Sequence, residues 1–70
     1  MNYGKNVKDA REYRGLSQLE LADKLGVSRP TVAKIEIGYI ALTVAMAVAI
    51  ADALEIEPME LINGLSKKVR

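Results

Sequence analysis

Three side chains in the middle of the chain, Arg29, Thr31 and Lys34, place hydrogen-bond donors close together in sequence. A guanidinium, a hydroxyl and an ammonium group can all donate to the base edges and phosphates of nucleic acid. The chain contains neither cysteine nor histidine, which removes the commonest zinc, haem and general-base chemistry. These features indicate binding rather than catalysis, and we predict no enzyme activity, no metal, no cofactor and no small-molecule substrate.

The distribution of charge favours the same interpretation. The net charge is only +1, but residues 1–34 carry more Lys and Arg than Asp and Glu, whereas residues 35–70 carry more Asp and Glu. A basic half and an acidic half are expected if one face meets phosphates and the other does not. Glu55 and Glu57 could form a carboxylate pair, but without His or Cys they are better explained as a solvated turn.

The length of the chain allows one domain. Seventy residues lie near the lower limit for folding unaided, so we assign residues 1–64 to the domain and residues 65–70 to a frayed basic tail. The longest apolar run, residues 40–51, is interrupted by Thr43 and is shorter than the ~20 residues that span a bilayer. We therefore expect a cytoplasmic protein that does not enter a membrane.

Glycines mark where the helices that hold the donors end. Gly15, Gly26, Gly38 and Gly64 each follow a stretch with helical periodicity, where a left-handed C-terminal cap is favoured. No strand-like alternation is present. The pattern predicts an all-α protein with five helices near residues 3–14, 18–25, 29–36, 43–54 and 58–63.

Polar residues and a proline mark where the helices begin. Ser17 with Glu20 is a capping box, in which each side chain binds a backbone N–H of the other residue. Ser28 and Thr43 can cap the third and fourth helices, and Pro58 suits the first turn of the fifth.

Residues 18–37 contain two of these helices, joined by a turn at Gly26. The turn needs a residue that tolerates positive φ, and the close approach of the two helices needs a small residue, Ala22. The second helix is anchored on the first by apolar residues: Leu21, Leu25, Val27, Val32 and Ile35. Arg29, Thr31 and Lys34 then face outward on a helix whose width matches the major groove of B-DNA.

At this point the chain resembles the Cro and phage-repressor class of helix-turn-helix domains, the XRE family. The motifs that carry the resemblance are Tyr3-Gly4, Arg11 with Gly15-Leu16-Ser17-Gln18, Leu21-Ala22, Leu25-Gly26-Val27-Ser28, Ile35-Glu36 with Gly38, and Ile50-Ala51 with Leu54. They cover residues 3–62. The resemblance implies a five-helix repressor-like DNA-binding domain. It also implies a sequence-specific transcriptional regulator, a repressor of phage, prophage or mobile-element type, which binds an inverted-repeat operator as a homodimer through its third helix.

The resemblance also implies roles for individual residues. The base-contacting positions are Arg29, Pro30, Thr31 and Lys34, and the phosphate-contacting positions are Gln18 and Ser28. Arg29 is the first candidate for base contact, because its planar guanidinium can donate to O6 and N7 of guanine together. Gln18 would bind a phosphate at a helix N-terminus, where free N–H groups favour anions. Arg11 and Glu36 resemble a structural pair that sets the angle of the third helix.

After Gly38 the sequence departs from the family pattern. The family usually has basic or polar residues and then Pro, whereas this chain has Tyr39-Ile40-Ala41-Leu42. Tyr39 can donate one hydrogen bond to a phosphate but supplies no charge. We therefore expect weaker non-specific DNA binding with a shallower salt dependence than is common in the family.

The fourth helix also departs, since small and apolar residues replace the usual polar ones. Either these residues let the helix pack deeply in a small core, or they form an exposed apolar patch for a second copy or another protein. The candidate interface residues are Ile37, Ile40, Leu42 and Met46. The alternative function is accordingly an antitoxin-like protein-interaction module on the same scaffold, with DNA binding secondary.

Overall fold

The structure, a computed structural model, describes residues 3–63 and confirms the predicted all-α, five-helix fold. In chain order these residues form α1 (Tyr3–Tyr13), α2 (Gln18–Leu25), α3 (Arg29–Glu36), α4 (Val44–Leu54) and α5 (Pro58–Asn63). The bounds agree with the sequence prediction to within a residue. Gly64 and the tail predicted for residues 65–70 lie outside the described residues. None of the helices in residues 3–63 is long and apolar enough to cross a membrane.

The helix starts follow the local sequence. The Ser17 hydroxyl accepts a hydrogen bond from the Glu20 N–H at 3.0 Å, and the Ser17 N–H donates to the Glu20 carboxylate at 2.8 Å. That backbone hydrogen bond from Ser17 lowers the pKa of Glu20. Thr43 is the N-cap of α4 and accepts from the Met46 N–H at 3.1 Å, which is why the helix itself begins one residue later.

All five helices contribute side chains to one core. Its buried side chains are Val7, Ala10, Leu21, Ala22, Val32, Ile35, Ala47, Ile50, Ala51, Leu54 and Leu61. Burying one such Val, Leu or Ile fully contributes about 1.5–3 kcal/mol. Val32 and Ile35 hold the inner face of α3, so the opposite face of that helix stays at the surface.

The start of α1 lies directly against the end of α3. A Cβ built on Gly4 would overlap the carbonyl oxygen of Ile35 and would lie 2.7 Å from the carbonyl oxygen of Glu36. Only a residue without a side chain permits two backbones to come this close. Gly4 therefore sets the distance between α1 and the last turn of α3.

Side chains of α1 and the turn after it also close the C-terminal ends of α4 and α5. Glu55 caps α4 with φ of +60°, in the left-handed region that favours glycine. Arg14 Nε donates to the carbonyl of Leu54 at 2.6 Å, and Arg14 Nη2 donates to the carbonyl of Glu55 at 3.2 Å. Asn6 Nδ2 donates to the carbonyl of Leu61 at 2.5 Å, at the end of α5.

Candidate nucleic-acid interface

The turn between α2 and α3 is short and closed by backbone hydrogen bonds. Gly26 has φ of +73° and caps α2, and its N–H donates to Ala22 and Asp23 carbonyls. The Val27 N–H also donates to the Ala22 carbonyl, at 3.0 Å. Val27 is half-buried against the core, so the turn has little freedom and fixes the direction in which α3 leaves α2.

The start of α3 is fixed by Ser28. Its hydroxyl accepts a hydrogen bond from the Thr31 N–H at 3.3 Å, and the Ser28 and Thr31 hydroxyl oxygens lie 2.9 Å apart. Pro30 occupies the first turn of the helix, where its missing N–H loses no intrahelical bond. Arg29, just before the proline, is the first helical residue. The first turn of α3 is therefore rigid, with Arg29 and Pro30 exposed at the surface.

Along the rest of α3, buried and surface residues alternate with helical spacing. Val32 and Ile35 are buried, Thr31 and Ala33 are half-buried, and Lys34 is exposed. Of the four residues predicted to contact bases, Arg29, Pro30 and Lys34 are thus exposed at the surface of one helix, and Thr31 is half-buried beside them. Their contacts with DNA remain a prediction.

Gln18, at the first position of α2, connects this outer side to the interior. Its Oε1 accepts a hydrogen bond from Arg29 Nη1 at 2.8 Å, and its Nε2 donates to Glu36 Oε1 at 3.0 Å. The side chain of Gln18 is therefore oriented from both ends. One hydrogen on Nε2 remains to donate to a phosphate, and Nε and Nη2 of Arg29 remain to donate to a base.

Beneath Gln18, Arg11 and Glu36 form a buried ion pair. Arg11 Nε donates to Glu36 Oε2 at 2.7 Å and Nη2 donates to Glu36 Oε1 at 3.2 Å, while Nη1 donates to the Leu16 carbonyl at 2.7 Å. The hydrogen bonds from Arg11 to Glu36 raise the pKa of the guanidinium, although burial acts in the opposite direction. With Gln18 and Arg29 the pair makes a continuous series of polar contacts from the interior of α1 to the surface of α3.

The segment after α3 folds back onto the end of that helix. Gly38 has φ of +85°, and the N–H groups of Tyr39 and Ile40 both donate to the Lys34 carbonyl, at 2.9 and 3.2 Å. This geometry brings the Lys34 ammonium to 5.9 Å from the centre of the Tyr39 ring, within the range of a cation–π contact. Tyr39 is well exposed. Its contact to a phosphate stays a prediction.

A family model described as helix-turn-helix matches residues 7–61, most of the chain. The chain belongs to the XRE-type helix-turn-helix family. That membership confirms the family predicted from the sequence. The family is one of DNA-binding regulators.

Individual relatives give the same family. The chain is 40% identical over 67 residues to a protein of Methanospirillum hungatei that is named among the HTH-type transcriptional regulatory proteins. The alignment covers 91% of this chain but only 22% of that relative, so the chain spans a minor part of the relative's length.

Among solved structures, the chain is similar to the restriction-modification controller protein C.AhdI from Aeromonas hydrophila. The two share 35% identity with a TM-score of 0.80, over 86% of this chain and 91% of the controller. The clp gene regulator ClgR from C. glutamicum has the same fold, with a TM-score of 0.87 over 99% of this chain and 90% of that chain, at 17% identity.

The four candidate interface residues fall into two groups. Ile37 and Ile40 are exposed, at 73% and 39% of their surface, whereas Leu42 and Met46 are half-buried and pack against the core. An open groove of about 520 Å³ runs between the start of α1 and the α3–α4 connection and includes Ile37, Ile40 and Leu42 in its lining. Whether these residues meet a second copy or another protein stays a prediction.

The structure also places residues beside the XRE helix-turn-helix that the sequence analysis missed. Lys5 and Lys8 of α1 line one groove together with Gln18 and Lys34. Their separation of one helical turn is the only signal in the sequence, since it puts them on one face of α1. It does not show that this face adjoins α3.

Proposed function

We propose that this chain is a sequence-specific DNA-binding transcriptional regulator that inserts α3 into the major groove of an operator. The observation that carries the proposal is the exposed outer side of α3, where Arg29 and Lys34 lie uncovered on a helix held rigidly from behind. Family membership supports it, as do the regulators among its relatives. DNA binding also implies a location in the cytoplasm, where the operator is.

Recognition of DNA combines contacts to bases with contacts to phosphates. Arg29 selects a base, because two of its nitrogens can donate to the edge of a guanine while Gln18 holds the third. Gln18 donates its remaining amide hydrogen to a phosphate near the N-terminus of α2. Thr31 and Pro30 lie beside Arg29 and offer a methyl group and a ring for apolar contact with a neighbouring base. Lys34, which follows on the same side of α3, contacts a base edge or a phosphate.

The regulator that fits this arrangement is an operator-binding repressor of phage, prophage or mobile-element type. The alignment with C.AhdI, a restriction-modification controller, covers 91% of that controller, which supports a small regulator of this kind. In this proposal the regulator acts by occupying its operator.

Replacing Arg29 with Ala is expected to relax the preference for one base pair in each half-site, at a loss of about 1–3 kcal/mol of discrimination. Gln18→Ala is expected to weaken binding to all sequences and, because it releases Arg29, to relax the same base pair in part. The measurement is a selection of bound sites from random DNA with the native chain and each variant. Equal weakening of all sequences by both variants would overturn the assignment of Arg29 to base contact.

The same selection tests the proposed function itself. A single enriched motif, bound selectively at physiological salt, is the result expected of a regulator. Binding to no duplex at either low or physiological salt would instead support the protein-interaction module.

A second copy of the chain is proposed to bind the other half-site, about 34 Å away along the duplex. The exposed side chains of Ile37 and Ile40, which follow α3, and of Val44, the first residue of α4, supply apolar surface for the contact between copies. In sedimentation equilibrium we expect a dimer that Ile40→Glu dissociates and that Leu19→Glu, at an exposed position of α2, leaves intact. A native chain that is monomeric at about tens of micromolar would contradict a two-fold dimer of this kind.

A further inference from the structure

The groove that contains Lys5 and Lys8 adjoins the outer side of α3. It has a volume of about 370 Å³ and is lined by lysines from α1 and α3 together with Gln18. Gln18 and Lys34, two residues proposed to contact DNA, form part of its lining. A ligand that reaches those residues therefore also lies beside the start of α1.

The charge of this groove is positive. Lys5, Lys8 and Lys34 face it, whereas its one carboxylate, Glu36, is buried and already bound by Arg11. The Lys5 ammonium lies 3.2 Å from Asp9, in a surface pair whose side chains are 73% and 40% exposed. Such a surface pair contributes little free energy, so Lys5 can exchange Asp9 for an outside anion.

The lysines of this groove supply positive charge that the α3–α4 connection lacks. That connection, Ile37 to Thr43, contains no basic residue, so Lys34 and the Tyr39 hydroxyl are the groups near it proposed to meet phosphates. A helix in the major groove has a sugar-phosphate backbone on each side of it. With α3 inserted, one of these backbones is expected to pass beside the groove that Lys5 and Lys8 line, one turn apart on α1.

We infer that Lys5 and Lys8 bind the phosphates of the DNA backbone beside α3 and that they hold the domain on the duplex without selecting its sequence. This inference rests on the proposed function, since it assumes that α3 enters the major groove. It changes the expectation drawn from the sequence, because the basic residues absent after α3 are supplied by α1. The salt dependence of binding is then steeper than the α3–α4 connection alone would give.

The test compares variants that each remove one exposed lysine. The affinity of the native chain, Lys5→Gln, Lys8→Gln and the double variant is measured for a short mixed-sequence B-form duplex at a series of KCl concentrations. Each substitution is expected to reduce the slope of log K against log salt by about 0.9, and the double variant by about 1.8. Lys24→Gln is the matched control, because Lys24 is exposed on α2 but lines a different groove with Arg14 and Ala53.

Two further measurements distinguish a phosphate contact made by charge from a change in the fold or in base selection. Lys5→Arg with Lys8→Arg keeps the charges and is expected to keep the native slope, and the double Gln variant is expected to enrich the native motif from random DNA. A native slope in the double Gln variant, or a changed motif, would overturn the inference while leaving the proposed function standing. A native chain that binds no duplex would overturn both.

Discussion

Replacing Glu36 with Gln is expected to lower the free energy of unfolding by about 3–5 kcal/mol, because it leaves the Arg11 guanidinium buried without its counter-charge. The side chains of Arg11 and Glu36 are only 9% and 2% exposed, so water cannot replace the lost carboxylate. The amide of the new Gln would also point a donor at Arg11 Nε or at Gln18 Nε2. Urea unfolding followed by circular dichroism measures the loss.

Two companion variants keep this prediction testable if Glu36→Gln does not fold. Removing both charges, with Arg11→Met and Glu36→Leu together, is expected to restore most of the stability, since apolar residues of similar volume often replace a buried ion pair without loss. Glu12→Gln is the control, because Glu12 lies 3.9 Å from Arg11 but is 57% exposed. If the double variant were no more stable than Glu36→Gln alone, the ion pair with Arg11 would not be the source of the stability that Glu36 contributes.

Gly4→Ala is expected to destabilise the domain by about 1–3 kcal/mol or more, although alanine favours helix formation over glycine by about 1 kcal/mol. The added Cβ would overlap the Ile35 carbonyl oxygen and meet backbone atoms of Glu36, which cannot rotate away as a side chain would. The start of α1 and the last turn of α3 must then separate. We expect thermal unfolding to show the loss directly and DNA affinity to fall with it.

Lys8→Ala makes the matching comparison, because it changes an exposed position one turn further along the same helix. Its stability is expected to stay within about 0.5 kcal/mol of the native chain. If Gly4→Ala were as stable as Lys8→Ala, the backbones of α1 and α3 would not be in close contact at this point.

Much of the fold could be predicted because its signals are local. Gly15, Gly26 and Gly38 all have positive φ, between +72° and +85°, at the ends of the first three helices where the sequence placed such caps. Ser17 and Glu20 form the capping box that their spacing predicts. Each of these features depends on residues within one or two helical turns, so the chain alone determines them.

Contacts between distant residues could not be predicted in the same way. Asn6 binds the end of α5, and Arg14 binds the end of α4, across most of the length of the chain. Neither contact has a periodic signature, because it depends on the angles at which three helices pack. The left-handed conformation of Glu55 was missed for a related reason, since no glycine marks it.

The same distinction between local and distant contacts applies to the candidate site. The outward residues of α3 follow from the anchors Val32 and Ile35, which helical periodicity places on the opposite side. The hydrogen bonds from Arg29 to Gln18 and from Gln18 to Glu36 could not be predicted, since they require the N-terminus of α2 to meet both ends of α3. Sequence alone could therefore identify candidate side chains for DNA contact, but not the hydrogen bond between two of them, Arg29 and Gln18.

The cap of α4 has an evolutionary consequence. Glu55 adopts a left-handed conformation that costs an ordinary residue about 1–2 kcal/mol. The guanidinium of Arg14 donates a hydrogen bond to the carbonyl of this same residue. A homologue with glycine at position 55 would escape that cost and would depend less on the arginine. We therefore expect the two positions to covary, with arginine at 14 retained where 55 is not glycine and free to diverge where it is.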